Sequence, residues 1–216
     1  MAYQPPLPQE VFPILGLDHQ KIYWAQIDLT ACAENDLGTH DGLKNCVQSQ
    51  IQAKNAKIGY GGYLEKRTIY KRSNHFTDGE ELRTIHLGCD IWGPENQPIF
   101  APLKGMVHSM AYNEKPYDYG ATIIVEHTWE KGRCFALYGH LKKSDLKNMQ
   151  PGETVEKGQV LCHMGELPEN GGWVPHLHFQ LILDIEDYAG DYPGVAAVSQ
   201  LDYYKQNCPD PELWLR

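Results

Sequence analysis

The sequence predicts a mainly β protein: an antiparallel sheet shaped as a sandwich or open groove, with an N-terminal extension that contains a short helix. Three observations predict this. From about residue 67 onward, short segments alternate apolar and polar residues, the period of a half-buried strand. Turn-forming runs separate them at close intervals: GPEN, NEKPYDYG, EKG, QPGE and PENGG. The chain also carries 20 glycines, 14 prolines and 13 tyrosines, a composition that suits many turns and few long helices.

Taken in order, residues 1–20 are proline-rich and irregular, and QKIYWAQIDL (20–29) reads as a strand. DGLKNCVQSQIQAKNAK (41–57) reads as a helix: Leu43, Val47 and Ile51 recur at helical spacing and Asp41 stands where a cap belongs. GYGGY (59–63) reads as a loop. Strands then follow at TIHLGCDIW (84–92), QPIFAP (97–102), GMVHSMAY (105–112), ATIIVEHTW (121–129), RCFALYGHL (133–141), QVLCHMG (159–165) and HLHFQLIL (176–183). The Pro/Gly/Asp-rich tail from about residue 184 packs on this unit. The expected division is an extension over 1–66, packed on a core domain over 67–216. No tandem repeat is visible.

With 216 residues, 42% hydrophobic and 22% charged, the chain can bury a sizeable core. A net charge of -9 argues against wrapping nucleic acid or clinging to anionic lipid. No run approaches the roughly 20 apolar residues of a membrane span. The start of the chain does not resemble a secretory signal, which points to a cytoplasmic protein; a periplasmic or secreted one is the alternative. The six cysteines (32, 46, 89, 134, 162, 208) lack CxxC spacing. They read as free thiols rather than a disulfide framework, with Cys89 and Cys162 buried in strands.

The chemistry concentrates in PHLHFQL (175–181). Successive strand side chains point to opposite faces, so His176 and His178 share one face while Leu177, Phe179 and Leu181 share the other. Paired imidazoles repel when protonated and converge well on a metal. In TIHLGCDIW the same alternation puts His86 and Asp90 on one face, with Gly88 between them clearing space. A charged Asp in an apolar strand needs a partner or a cation. In FALYGHL (135–141), Phe135, Leu137 and Leu141 face the core, and Tyr138 and His140 share the opposite face. A catalytic zinc takes three protein ligands and keeps one position open, so five such residues leave two for proton transfer. Trp173, in ENGGWVP (169–175), is either a wall of the groove or a plug on the sheet. Tyr138 and Trp173 are the candidate substrate contacts. The other histidines, 19, 40, 75, 108, 127 and 163, read as structural.

HLGCD (86–90), YGHL (138–141) and HLHFQ (176–180) resemble, in order and rough spacing, the three signatures of the lysostaphin-type (β-lytic) zinc endopeptidases. GETVEKGQVLCHMG (152–165) is similar to the strand-turn-strand that precedes HxH in that family. The resemblance spans about residues 80–183. It implies a fold of the duplicated hybrid motif type, with a groove over an antiparallel sheet and one Zn²⁺ per chain. It implies His86, Asp90 and His178 as zinc ligands and His140 and His176 as catalytic residues of a peptide-bond hydrolase. Members that cut glycine bridges carry a tyrosine shortly before the first histidine. Residues 73–85 hold none, and Tyr70 lies further upstream. ENGGWVPHLHFQL, GDYPGV (190–195) and CPDP (208–211) resemble the peptidase-like domain fused to class III aminotransferases and small-molecule-kinase-like domains. The implied partner is a peptide or muropeptide, with bacterial peptidoglycan as a source. Two other readings are an idle binding or regulatory domain, which the survival of all five positions disfavours, and a histidine phosphocarrier, which Asp90 disfavours.

Overall fold

The computed structural model describes residues 10–16, 23–72, 76–78, 81–130 and 132–215. His19 and His75 lie outside them, as does most of 1–20. The strands are, in chain order, β1 (Trp24–Gln26), β2 (Ile58–Gly61), β3 (Thr77–Asp78), β4 (Glu81–Leu82), β5 (Ile85–His86), β6 (Cys89–Trp92) and β7 (Pro98–Phe100). They continue with β8 (Gly105–Asn113), β9 (Gly120–Trp129), β10 (Gly132–Leu141), β11 (Thr154–Val155), β12 (Val160–His163), β13 (His176–Ile182) and β14 (Val195–Ala196). Helices are few: α1 (Glu34–Leu37), α2 (His40–Ala53) and α3 (Leu201–Asn207), with short 3₁₀ turns. The chain is mainly β. None of the helices among the described residues is long and apolar enough to cross a membrane.

The principal sheet has eight strands in the order β1-β2-β6-β13-β10-β9-β8-β11. All its pairs are antiparallel except β1 with β2. Registers set the two faces. His178 stands opposite Asp90 and Gly139, and Phe179 opposite Cys89 and Tyr138. On the Phe179 face, Cys89, Ile91, Leu177, Leu181, Ile123, Val125 and Trp214 form a closed apolar layer. It is completed by Ile99 and Leu161 of the antiparallel β7–β12 pair. On the His178 face, β13, β10 and β9 are covered by a cluster around Ile124, Leu137, Ile182 and Tyr192. Over β6 the cover is Leu29, Leu43, Val47, Ile69 and Phe76, which pack with Trp92 and Trp173. Both faces are therefore buried, which is why the strand segments are more apolar than one-sided alternation requires.

Several expectations are corrected. GYGGY is not a loop: Ile58–Gly61 is β2, paired with β6 on one side and β1 on the other. The reading failed because glycines replaced the apolar residues that mark a strand. The helix begins at His40, and its cap is Thr39, whose hydroxyl accepts from Gly42 N at 3.1 Å, not Asp41. TIHLGCDIW is two strands, β5 and β6, interrupted at Leu87–Gly88. Cys32 and Cys46 form a disulfide that ties α2 to the turn before α1. Cys89, Cys134, Cys162 and Cys208 are buried free thiols.

Candidate metal centre

His86 ends β5, Asp90 lies on β6 and His178 on β13, so three separate stretches of chain converge through the β6–β13 pairing. All three side chains are buried. Gly88 makes the approach possible: a Cβ there would stand 2.6 Å from the His178 ring. His86 Nε2 lies 3.0 Å from His178 Nδ1, His178 Nδ1 lies 3.2 Å from Asp90 Oδ1, and His86 Nε2 lies 3.3 Å from Asp90 Oδ1. Among the described residues, these three make the group that could hold a metal ion.

The far side of each group decides what faces the centre. His86 Nδ1–H donates to the Gly62 carbonyl at 2.9 Å, leaving a lone pair on Nε2. Gly62, at φ +94°, is irreplaceable there, since a Cβ would sit 1.8 Å from Arg67 Nη2. Gln180 Nε2 donates to the Pro193 carbonyl at 3.1 Å, so its Oε1 accepts from His178 Nε2–H at 3.0 Å. That leaves a lone pair on His178 Nδ1. Arg67 Nη1 donates to Asp90 Oδ2 at 2.6 Å, and Arg67 Nε donates to Glu65 Oε2 at 2.6 Å. Three acceptors thus face one another with nothing between them but each other. Ligand atoms of a tetrahedral zinc ion, at about 2.0–2.1 Å, stand roughly 3.3–3.4 Å apart. The observed edges and the donor set fit such a cation.

Burial alone would raise the Asp90 carboxyl, but His86 and the Arg67 guanidinium hold it well below the usual carboxylate range. Burial, with Arg67 close by, pushes His86 down to about 4. The Asp is held as an anion and the imidazole as a neutral base, the forms a metal requires.

His140 and His176 stand beside this triangle. His176 Nε2 is 3.6 Å from Asp90 Oδ1, and the two rings are 4.3 Å apart between centroids. Each donates Nδ1–H to a backbone carbonyl, His140 to Asn170 at 2.9 Å and His176 to Val174 at 2.7 Å. Each therefore presents an unprotonated Nε2. Burial pushes both imidazoles down. The Trp92 ring stacks on His176 at 5.9 Å.

His140 reaches this face by an irregularity. Strict alternation would put it with Tyr138. Instead the β9–β10 register shifts between Tyr138 and Leu141, and His140 takes φ +61°. The bulge turns its ring to the His178 face. Tyr138 stays behind, fully buried in the apolar layer, with its hydroxyl 2.8 Å from His127 Nε2. Tyr138 is thus not positioned as a substrate contact; the bulge separates the two residues that simple alternation grouped. Trp173 does line the cavity, 6.2 Å from the His140 ring and 6.4 Å from that of His176. His163 pairs with Asp145 at 2.9 Å, and neither residue lines the cavity.

Sequence reasoning missed Gly62, Glu65 and Arg67, and left Tyr70 unassigned as too far upstream. Tyr70 lines the cavity, and its hydroxyl accepts from Arg67 Nη1 at 3.3 Å. A 3₁₀ turn at Thr68–Arg72 carries it there, so distance along the chain was a poor guide. Gln180 had a signal, since it shares the alternation of His176 and His178; Arg67 had none, being one of several cations in the irregular stretch EKRTIYKR (65–72).

The three facing acceptors are the observation that a family match must explain. Residues 84–188 match Peptidase family M23. The matched segment contains His86, Asp90, His140, His176 and His178, whereas Arg67 and Tyr70 precede it. A Haemophilus influenzae protein described as an uncharacterized metalloprotease is 32% identical over 96 residues, or 44% of this chain. The chain spans only 18% of that relative's length. Among solved structures, a zinc-containing peptidase from Vibrio cholerae is 25% identical, with a TM-score of 0.35, over 45% of this chain and 27% of that one. The catalytic domain of the antimicrobial peptidase lysostaphin from Staphylococcus simulans is 19% identical, with a TM-score of 0.39, over 63% of this chain and 97% of that one.

Proposed function

We propose that the chain is a zinc-dependent peptide-bond hydrolase acting on short peptides, including glycine- or alanine-containing ones derived from peptidoglycan. The observation that carries this reading is the triangle of unprotonated ligand atoms on His86, Asp90 and His178, with edges of 3.0–3.3 Å. The M23 match over 84–188 supports it. These three residues would hold the ion. Bound there, zinc supplies Lewis acidity toward a carbonyl oxygen and lowers the pKa of water to about 7.

The chain's own residues handle protons and orientation. Hydrolysis adds water across the C–N bond: hydroxide to the carbonyl carbon, a proton to the departing amine. His140 Nε2 and His176 Nε2, the two neutral bases beside the triangle, take that proton and return it. Their Nδ1–H bonds to backbone carbonyls fix the tautomer throughout. Tyr70, oriented by Arg67, offers a hydroxyl proton at the cavity wall. Trp92, stacked on His176, keeps that ring from rotating away.

Incubating the zinc-loaded protein with muropeptides and Gly/Ala peptides, with mass-spectrometric readout, tests the reading. Cleavage that disappears in His140→Ala while zinc is retained is the expected result. Zinc binding without cleavage of any peptide would leave only a binding domain.

A further inference from the structure

We propose that the cavity over the metal centre selects short peptides by length, seating an apolar side chain against Leu29, Leu43, Ile69 and Phe76, and excludes polymer strands. This rests on the hydrolase reading above and goes further, to the substrate class. The cavity holds about 270 Å³, with His86, Asp90, His140, His176 and His178 in its lining. A space of that size suits a ligand of small-peptide dimensions. It falls just below the roughly 300–1,000 Å³ of pockets that enclose drug-sized ligands.

The walls narrow the approach to the metal centre. Most come from outside residues 84–188: Leu29, Leu43, Ile69 and Phe76 before that segment, Tyr192 and Val195 after it. The first four belong to one buried apolar cluster with Trp92 and Trp173. They give the occupant an apolar seat worth occupying with an aliphatic or aromatic side chain. Arg83, Asp118 and Asp191 also line the cavity. The catalytic imidazoles themselves are at most 6% exposed, so a strand threading past would not reach them without displacing this cover.

The roof is held from two sides. Leu29 precedes Cys32 and Leu43 precedes Cys46, each by three residues, and the Cys32–Cys46 disulfide ties the two stretches together. Leu43 is therefore a specificity-determining residue on a pinned helix.

The test uses the zinc-loaded full chain with two readouts. The first is kcat/KM for Ala-Leu, Ala-Ala-Leu, a leucine-containing octapeptide and intact peptidoglycan. The second is competitive binding of a leucine hydroxamate and an octapeptide hydroxamate, which needs no turnover. The expected result is at least about a tenfold preference for the short members in both, narrowed in Leu43→Ala. Hydrolysis of the octapeptide or of peptidoglycan as fast as the dipeptide overturns the length selection while leaving the hydrolase reading intact. Preferential binding of the short hydroxamate with no hydrolysis supports the selection and overturns the hydrolase reading. Equal binding of the two hydroxamates overturns the selection whatever the turnover. The wild-type series carries the decision even if Leu43→Ala fails to fold.

Discussion

His127 and His178 are both buried in the principal sheet, one on each face, and the structure gives them opposite fates. His127 lies in the closed apolar layer, where Nδ1–H donates to the Lys104 carbonyl at 3.3 Å and Nε2 accepts from the Tyr138 hydroxyl at 2.8 Å. Both ring nitrogens are satisfied by the chain. His178 donates one nitrogen to Gln180 and turns the other toward two further acceptors. Burial is the same; what differs is whether a lone pair is left over. A buried histidine can act as a ligand or a base only where its neighbours leave one of its two nitrogens unsatisfied, so its partners, not its depth, mark the site.

The largest effect expected from this contrast is on the metal. His178→Ala or Asp90→Ala should take zinc from about one ion per chain to none, measured by elemental analysis after dialysis. His127→Ala should leave the stoichiometry unchanged. A variant at position 178 that keeps its zinc would erase the distinction between the two faces.

Next in size is turnover. His140→Ala should retain zinc and lose about 10²–10⁴ in kcat on whichever peptide the wild type cleaves. Loss of zinc in this variant would make His140 a ligand and not a base.

Arg67→Met sharpens the contrast one layer out. It frees Asp90 Oδ2, so competition titration with a zinc chelator should show affinity reduced by about 10–100-fold. An unchanged affinity would mean that the 2.6 Å ion pair serves packing alone.

How much of this was legible follows from the kind of signal each part left. His176 and His178, or His86 and Asp90, sit on regular or nearly regular strands, where a period of two sets the face. Their assembly was visible because alternation is local. His140 was placed on the correct face by reasoning that also placed Tyr138 there. The bulge that separates them is set by the β9–β10 register and leaves no trace in the local pattern. β2 was illegible because its glycines lie where Ile27 and Ile51 crowd the backbone, and contacts from a distant segment cannot be read from five residues. The Arg67–Asp90 pair spans 23 positions and joins an irregular turn to a strand, so no periodicity could suggest it. The disulfide was missed because spacing alone did not show that the turn before α1 folds back on α2.

A smaller effect concerns acid stability. Burial pushes the His127 imidazole from 6.5 down to about 4. Between those values the unfolded chain binds a proton that the folded chain does not, so stability falls as pH falls through that window. The span is worth about 3 kcal/mol. His127→Phe should flatten this slope in urea unfolding between neutral and mildly acid pH. At neutral pH it should cost about 1–3 kcal/mol through the unpaired Tyr138 hydroxyl. A slope as steep as that of the wild type would place the acid-sensitive group elsewhere.

The most direct measurement is anomalous scattering at the zinc edge from crystals grown with the metal. The expected map has one peak per chain, bonded to His86 Nε2, Asp90 Oδ1 and His178 Nδ1, with Arg67 still on Asp90 Oδ2. A fully zinc-loaded crystal with its ion on other residues, or with no peak between these three atoms, would contradict it.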